Sequence, residues 1–213
     1  MQARTPIDEC LFIKNWDNGE RCFLIFHVDD IIAVASSAKR NDEVFKALQD
    51  CDLQIRDEGE PSVFLGLEYH FTDDTIEVHQ KMYLEKCARK FECDQDTPRV
   101  NEPAKQDLFM SAADLPQTDE QARKAAKLPY PALVGCLIYA TKTRPEIIFA
   151  VSDLAIYMSK WGETHYRQGL RVLTYLYQTR DDALKYYRNS KRPMEIVCYA
   201  DSNYGDRRGE IAG

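Results

Sequence analysis

The sequence predicts an α+β chain, with antiparallel hairpins and one intervening helix in its first part and helices in its second. Three observations predict it. Short apolar runs separated by turn residues fill the region before residue 80. Apolar residues recur at three- and four-residue spacing after residue 118. A last strand-like run lies at 195–201.

Taken in order, residues 11–16 and 22–28 are strand-like, and Asp17-Asn18-Gly19-Glu20 supplies the turn, Asn-Gly being a strong hairpin signal. The second run meets Asp29-Asp30 and resumes as Ile31-Ile32-Ala33-Val34-Ala35, two apolar strands around a pair of acids. Val44, Leu48 and Cys51, with Phe45 alongside, give one helical face over 39–52. Gly59-Glu60-Pro61 breaks the pattern, after which 64–71 reads as a strand, 72–74 as a turn and 75–79 as its antiparallel return. Met82, Leu84, Ala88 and Phe91 suggest a short helix. Residues 94–117 are polar, carry Pro98, Pro103 and Pro116, and read as a long connection. Helices follow over about 118–142, with a break at Pro129 and Pro131; from Pro145, a favoured first-turn proline; and from Thr164, read as an N-cap.

The 213 residues suffice for one large domain or two small ones. At 44% hydrophobic and 30% charged, the composition is that of an ordinary globular chain. A net charge of −7 argues against a simple basic nucleic-acid-binding module. The average hides an asymmetry: residues 1–159 carry 18 basic against 28 acidic side chains, and residues 160–192 carry 8 against 3. A basic stretch of that kind suits either phosphate contact or a solvated helix face. Arg167, Arg171, Lys185 and Arg188 lie in it. No apolar run is long enough to span a bilayer, so no membrane partner is expected. Seven cysteines without a CxxC pair read as reduced, mostly buried thiols, Cys22, Cys136 and Cys198 among them, in an intracellular protein of cytoplasm or nucleus.

Asp29-Asp30 is the sharpest feature. Adjacent carboxylates at a hairpin tip repel each other unless water or a cation screens them, and hard oxygen donors suit Mg²⁺, with Mn²⁺ as an alternative. Asp is also a good turn residue, and most apolar–Asp-Asp–apolar strings are plain hairpins, so the spacing alone favours a plain hairpin over a metal site.

The surrounding residues extend the pattern. His27-Val28-Asp29-Asp30, followed by Ile31-Ile32-Ala33, resembles the Tyr-x-Asp-Asp motif of reverse transcriptases in the form found in copia-like LTR retrotransposons. Asp8-Glu9-Cys10-Leu11-Phe12-Ile13 resembles the strand start before that motif, and Phe64-Leu65-Gly66-Leu67-Glu68-Tyr69 the primer-grip hairpin after it. Residues 128–147, from Leu128-Pro129-Tyr130 through Leu133-Val134-Gly135 to Thr143-Arg144-Pro145, are similar to a specific thumb signature, which Arg171-Val172-Leu173 continues. Tyr199-Ala200-Asp201-Ser202 is similar to the first strand of the RNase H domain that follows in these polyproteins.

The resemblance implies a right-hand polymerase: a partial palm with primer-grip hairpin over 1–93, a connection over 94–117, a helical thumb over 118–192 and the first strand of an RNase H domain over 193–213. It implies that Asp29 and Asp30 are catalytic metal ligands, with Asp201 the first RNase H ligand. His27, Phe64, Leu65, Gly66, Leu67, Arg167 and Arg171 would contact an RNA or DNA template with its DNA primer. His27 stands where the family has Tyr, and either shifts the primer end or is a tolerated strand residue. Gly66 either allows close approach of a nucleic-acid backbone or marks a bulge. The family's first palm aspartate and fingers have no counterpart before Asp8, so a chain of this kind is expected to be an inactive fragment by itself, unless another chain supplies the missing polymerase segments. Glu68 is the acid to examine as a third carboxylate, although the family gives it no such role. The alternative is a non-catalytic module, derived from the polymerase, that binds nucleic acid or protein. Tyr175, Tyr177, Tyr186 and Tyr187 are assigned to core packing ahead of base stacking.

Overall fold

Two cores organise the chain, and they part where Gly59-Glu60-Pro61 interrupts the apolar pattern: the units are Met1–Glu60 and Pro61–Gly213. The computed structural model describes residues 8–51, 54–93, 97–104, 110–188 and 197–198. Among them it is a mixed α and β structure with antiparallel sheets and six α-helices.

In the first unit, strands β1 (Leu11–Asn15), β2 (Arg21–His27) and β3 (Asp30–Ala35) form an antiparallel sheet in that order. Phe12 stands opposite Leu24, Cys22 opposite Ala35 and Phe26 opposite Ile31. Paired residues of an antiparallel ladder share a face, and this face packs with Val44 and Leu48 of helix α1 (Ala38–Gln49) to make the core. Trp16 flanks it, with the Arg40 guanidinium 4.6 Å from its ring. Cys51 lies past the helix end and is exposed, so it does not belong to the helical face expected of it.

In the second unit, β4 (Val63–Phe64), β5 (Leu67–Phe71), β6 (Thr75–His79) and β7 (Leu184–Tyr187) pair in sequence order, all antiparallel. Two expectations change here. The run 64–71 is not one strand but turns at Leu65-Gly66, both at positive φ, so Gly66 marks a hairpin turn rather than a bulge. Strand β7 has no counterpart in the expectations: its residues alternate poorly, and it exists because β6 offers an edge, Thr75 meeting Tyr187 and Val78 meeting Leu184.

Helices α2 (Lys81–Lys90), α3 (Asp119–Ala125), α4 (Tyr130–Ala140), α5 (Ile148–Ala155) and α6 (Glu163–Gln178) carry the larger core. Leu133, Val134 and Leu137 of α4 meet Val151 and Leu154 of α5 and Val172, Leu173 and Leu176 of α6. Gly169 admits α4, since a methyl group there would stand 2.7 Å from a Leu133 methyl carbon. A 3₁₀ turn, Pro145–Ile147, precedes α5, and α6 starts one residue before Thr164 with Gly162 as its N-cap, which displaces the predicted cap. Tyr186 and Tyr187 are exposed on β7 and so are not core. Cys10 and Cys198 are exposed as well, against the apolar setting expected of Cys198, whereas Cys22, Cys87 and Cys93 are buried. No helix among the described residues is long and apolar enough to cross a membrane.

Candidate functional site

The β2–β3 hairpin closes with His27 opposite Asp30, leaving Val28 and Asp29 as its two turn residues. Val28 has φ +55° and is almost wholly exposed. A β-branched side chain in the left-handed region is a strained arrangement, because Cβ crowds the backbone. His27, Asp29 and Asp30 are all exposed. Neither carboxylate is hydrogen-bonded or ion-paired to a described residue, and among the described residues no third His, Cys, Asp or Glu joins them into a metal-holding group. Register also fixes the face of Asp30 and of His27 opposite it. His27 and Asp30 share a side of the sheet with Phe23, Ile25, Ile32 and Val34, the side away from α1. Phe23, Ile25 and Val34 are 40%, 37% and 56% exposed there.

Glu68 is already engaged: its carboxylate accepts the Met82 N–H at 2.8 Å and lies 3.9 Å from His79. It serves the first turn of α2, where backbone N–H groups lack helical partners.

The β4–β5 turn holds four of the predicted residues. Phe64 pairs with Leu67, and Leu65 (φ +50°) and Gly66 (φ +74°) form the exposed tip. Positive φ at both central residues is the pattern of a type I′ turn, for which Asn-Gly is favoured and Leu is not. The Tyr139 hydroxyl of α4 donates to the Leu65 carbonyl. The tyrosine is itself fixed: its ring meets Tyr83 edge-on at 4.7 Å, and its carbonyl accepts from Gln80 Nε2 at 3.3 Å. Gln80 is buried, and its Oε1 accepts from the Thr143 hydroxyl at 2.8 Å.

The basic stretch is largely spent within the molecule. Arg171 pairs with Glu102 at 3.8 Å, Arg180 with Glu85 at 3.4 Å and Lys185 with Glu77 at 2.7 Å. Arg167 remains exposed and pairs with Glu163, one turn back on the same helix. Arg144, 3% exposed, donates from Nε to Glu146 at 2.7 Å and from Nη1 to the Thr179 carbonyl at 2.9 Å, tying the start of α5 to the end of α6. His165 is fully buried, accepts the Gly162 N–H at Nδ1, and burial pushes its pKa down. A cavity of about 440 Å³ lined by Glu85, Arg89, Glu92, Tyr177 and Arg180 contains none of the predicted site residues. Asp201 lies outside the described residues, as does most of the strand expected over 195–201; of that run only Val197 and Cys198 are described, both exposed and in no strand.

Tyr139, Thr143 and Arg144 lie within the thumb signature of 128–147 but have no individual role in the sequence reading, and Gln80 falls in no motif. Gly66 is the one signal that could have led to Tyr139, because a methyl group there would stand 2.8 Å from its hydroxyl oxygen.

Comparison with known proteins bears on what these hairpins belong to. The chain is 28% identical over 188 residues to a retrovirus-related Pol polyprotein from transposon TNT 1-94 of Nicotiana tabacum, covering 85% of this chain and 14% of that one. It is 28% identical over 201 residues to a putative transposon Ty5-1 protein of Saccharomyces cerevisiae, covering 92% and 60%. An uncharacterized mitochondrial protein of Arabidopsis thaliana is 26% identical over 183 residues, covering 84% and 71%. The homologues of the chain include retrotransposon Pol polyproteins. The chain thus spans about a seventh of the first relative and three-fifths of the second. No family model and no solved structure matches it.

Proposed function

We propose that the chain is the primer-holding segment of a retrotransposon reverse transcriptase, an RNA-directed DNA polymerase, with a partial palm over 1–93, a connection over 94–117, a thumb over 118–192 and the start of an RNase H domain over 193–213. The observation that carries this reading is the setting of Asp29 and Asp30: adjacent carboxylates at an antiparallel hairpin tip, exposed and unengaged by any described residue. Such donors fit Mg²⁺ or Mn²⁺, since Mg²⁺ is commonly held by one or two protein carboxylates with substrate phosphates at other positions. When bound, the ions would activate the primer 3′-hydroxyl and neutralise charge on the phosphate it attacks. Asp29 and Asp30 would hold them, and His27 would lie beside the primer end. The 64–67 tip, with Arg167 and Arg171, would contact the backbone of the template–primer, a sequence-independent interaction. Asp201 would be an RNase H ligand.

By itself the chain is proposed not to extend a primer, because no third carboxylate stands with Asp29 and Asp30 among the described residues. A further polymerase segment would supply it. The test is primer extension with Mg²⁺ and with Mn²⁺, alongside template–primer binding across a salt series. Salt-sensitive binding without extension is the expected result. Extension abolished by Asp29→Asn would show the site to be complete, and absence of salt-sensitive binding would overturn the reading.

One observation favours a second reading, that of a non-catalytic module. The side of the first sheet away from α1 exposes Phe23, Ile25 and Val34, as a protein-binding surface would.

A further inference from the structure

We propose that Tyr139 is a positioning residue: through its hydroxyl bond to the Leu65 carbonyl it holds the β4–β5 turn in a conformation that Leu65 would otherwise resist, and so presents that tip to the template–primer backbone. The identity of the ligand rests on the reading above, whereas the latch itself does not.

The turn calls for support from outside. A two-residue hairpin with positive φ at both centres suits Asn-Gly or Gly-Gly, which reach the left-handed region at little steric cost. Here the second centre is Gly66 and the first is Leu65, at φ +50°. Leucine disfavours that region through contact between Cβ and the carbonyl that follows, so a group beyond the turn must favour this state. The Tyr139 hydroxyl is that group, donating to the carbonyl of the strained residue itself. Gly66 serves the contact twice over, through its own φ and because a side chain would displace the phenol oxygen.

A latch must be stiffer than what it holds. Tyr139 lies on α4, whose Leu133, Val134 and Leu137 are fully buried. Its ring packs edge-on against Tyr83, whose hydroxyl donates to the Cys136 carbonyl at 3.1 Å. Lys142 Nζ sits 5.0 Å from the same ring, and the buried Gln80 and Thr143 secure the end of α4. The tip itself is exposed on its remaining sides, which leaves the Leu65 and Gly66 backbone open to a ligand.

The experiment is a double-mutant cycle of Tyr139→Phe and Leu65→Asn in the whole chain, read by hydrogen exchange at the Gly66 and Leu67 amides and by affinity for a DNA-primed RNA template at fixed salt. Asparagine tolerates positive φ, so the latch should matter only when Leu65 is present. With Leu65, Tyr139→Phe should speed tip exchange and weaken affinity by about five- to tenfold each, the scale of one lost hydrogen bond. In the Leu65→Asn background, the same change should do neither. A loss of equal size in both backgrounds would mean a general packing role and overturn the proposal, as would tip exchange indifferent to the hydroxyl. Faster tip exchange with unchanged affinity would overturn the positioning role. If the unmodified chain binds no template–primer, the reading of function fails, and the latch is decided by exchange alone.

Discussion

The two hairpin tips make an instructive pair. Each turns in two residues, and each places a bulky aliphatic residue at positive φ, Val28 in one and Leu65 in the other. The Leu65 turn is followed by glycine and braced by Tyr139. The Val28 turn is followed by Asp29 and Asp30, and no described side chain supports it. Their units differ in the same sense. The Leu65 tip belongs to the larger core, in which Leu133, Leu137, Leu173 and Leu176 are at most 1% exposed. The acids belong to a unit whose buried apolar residues are Cys22, Leu24, Val44 and Leu48. Sparsely populated backbone conformations recur at binding and switch sites, which makes the Val28 tip the one to test for a ligand. The contrast is one of support: Tyr139 braces the Leu65 tip from within, while the Val28 tip has no such brace among the described residues, and only under the proposed function would it bind a metal ion.

The largest expected break in this comparison is a core truncation in each unit. The two tryptophans separate the signals, Trp16 flanking the first core and Trp161 the second. Leu137→Ala should lower the stability reported by Trp161 by about 4–5 kcal/mol, and Leu24→Ala that reported by Trp16 by about 2–3 kcal/mol, because the smaller core can collapse onto the gap. Equilibrium denaturation of each variant with the other tryptophan replaced by Phe measures both. Equal losses would mean that the two cores are equally well packed.

A smaller effect addresses the strain directly. Val28→Gly should raise the stability reported by Trp16 by about 0.5–1 kcal/mol, since glycine takes positive φ freely while losing some chain entropy. No gain would mean that the turn is not strained in solution.

The subtlest distinction is in pH. Burial holds His165 below its ordinary 6.5, so the unfolded chain binds that proton first. The stabilisation is present above 6.5 and is lost as pH falls below it, and His165→Asn should flatten this part of the Trp161 profile. Glu20 is held at about 2 by hydrogen bonds from Asn18, Arg40 and Ser37. Its contribution is present above the ordinary 4.5, declines as pH falls below that value and is gone once pH has fallen through about 2. Acidification should therefore register at Trp161 before it registers at Trp16, and the reverse order would refute this assignment.

Much of the local architecture was legible. Asn18-Gly19 marked the first turn, the apolar runs 22–28 and 31–35 framed the acids, and the three- and four-residue spacing located α1 and α4–α6. The misses have a common physical origin. Leu65-Gly66 was absorbed into one strand because leucine rarely takes positive φ, and only a partner 74 residues away makes that conformation favourable. The basic stretch after residue 160 suggested a phosphate-binding face, yet its partners Glu77, Glu85 and Glu102 come from earlier elements. Charge counted along a chain does not reveal which charges neutralise each other across it.

What this chain settles locally is a set of elements and the placement of Asp29 and Asp30 at a tip, because periodicity and turn chemistry act over a few residues. The pairing of β7 with β6, the burial of Gln80, Arg144 and His165, and the hold of Tyr139 on Leu65 follow from packing between segments far apart in sequence. The desolvation, hydrogen-bond and strain energies involved exist only once those segments meet.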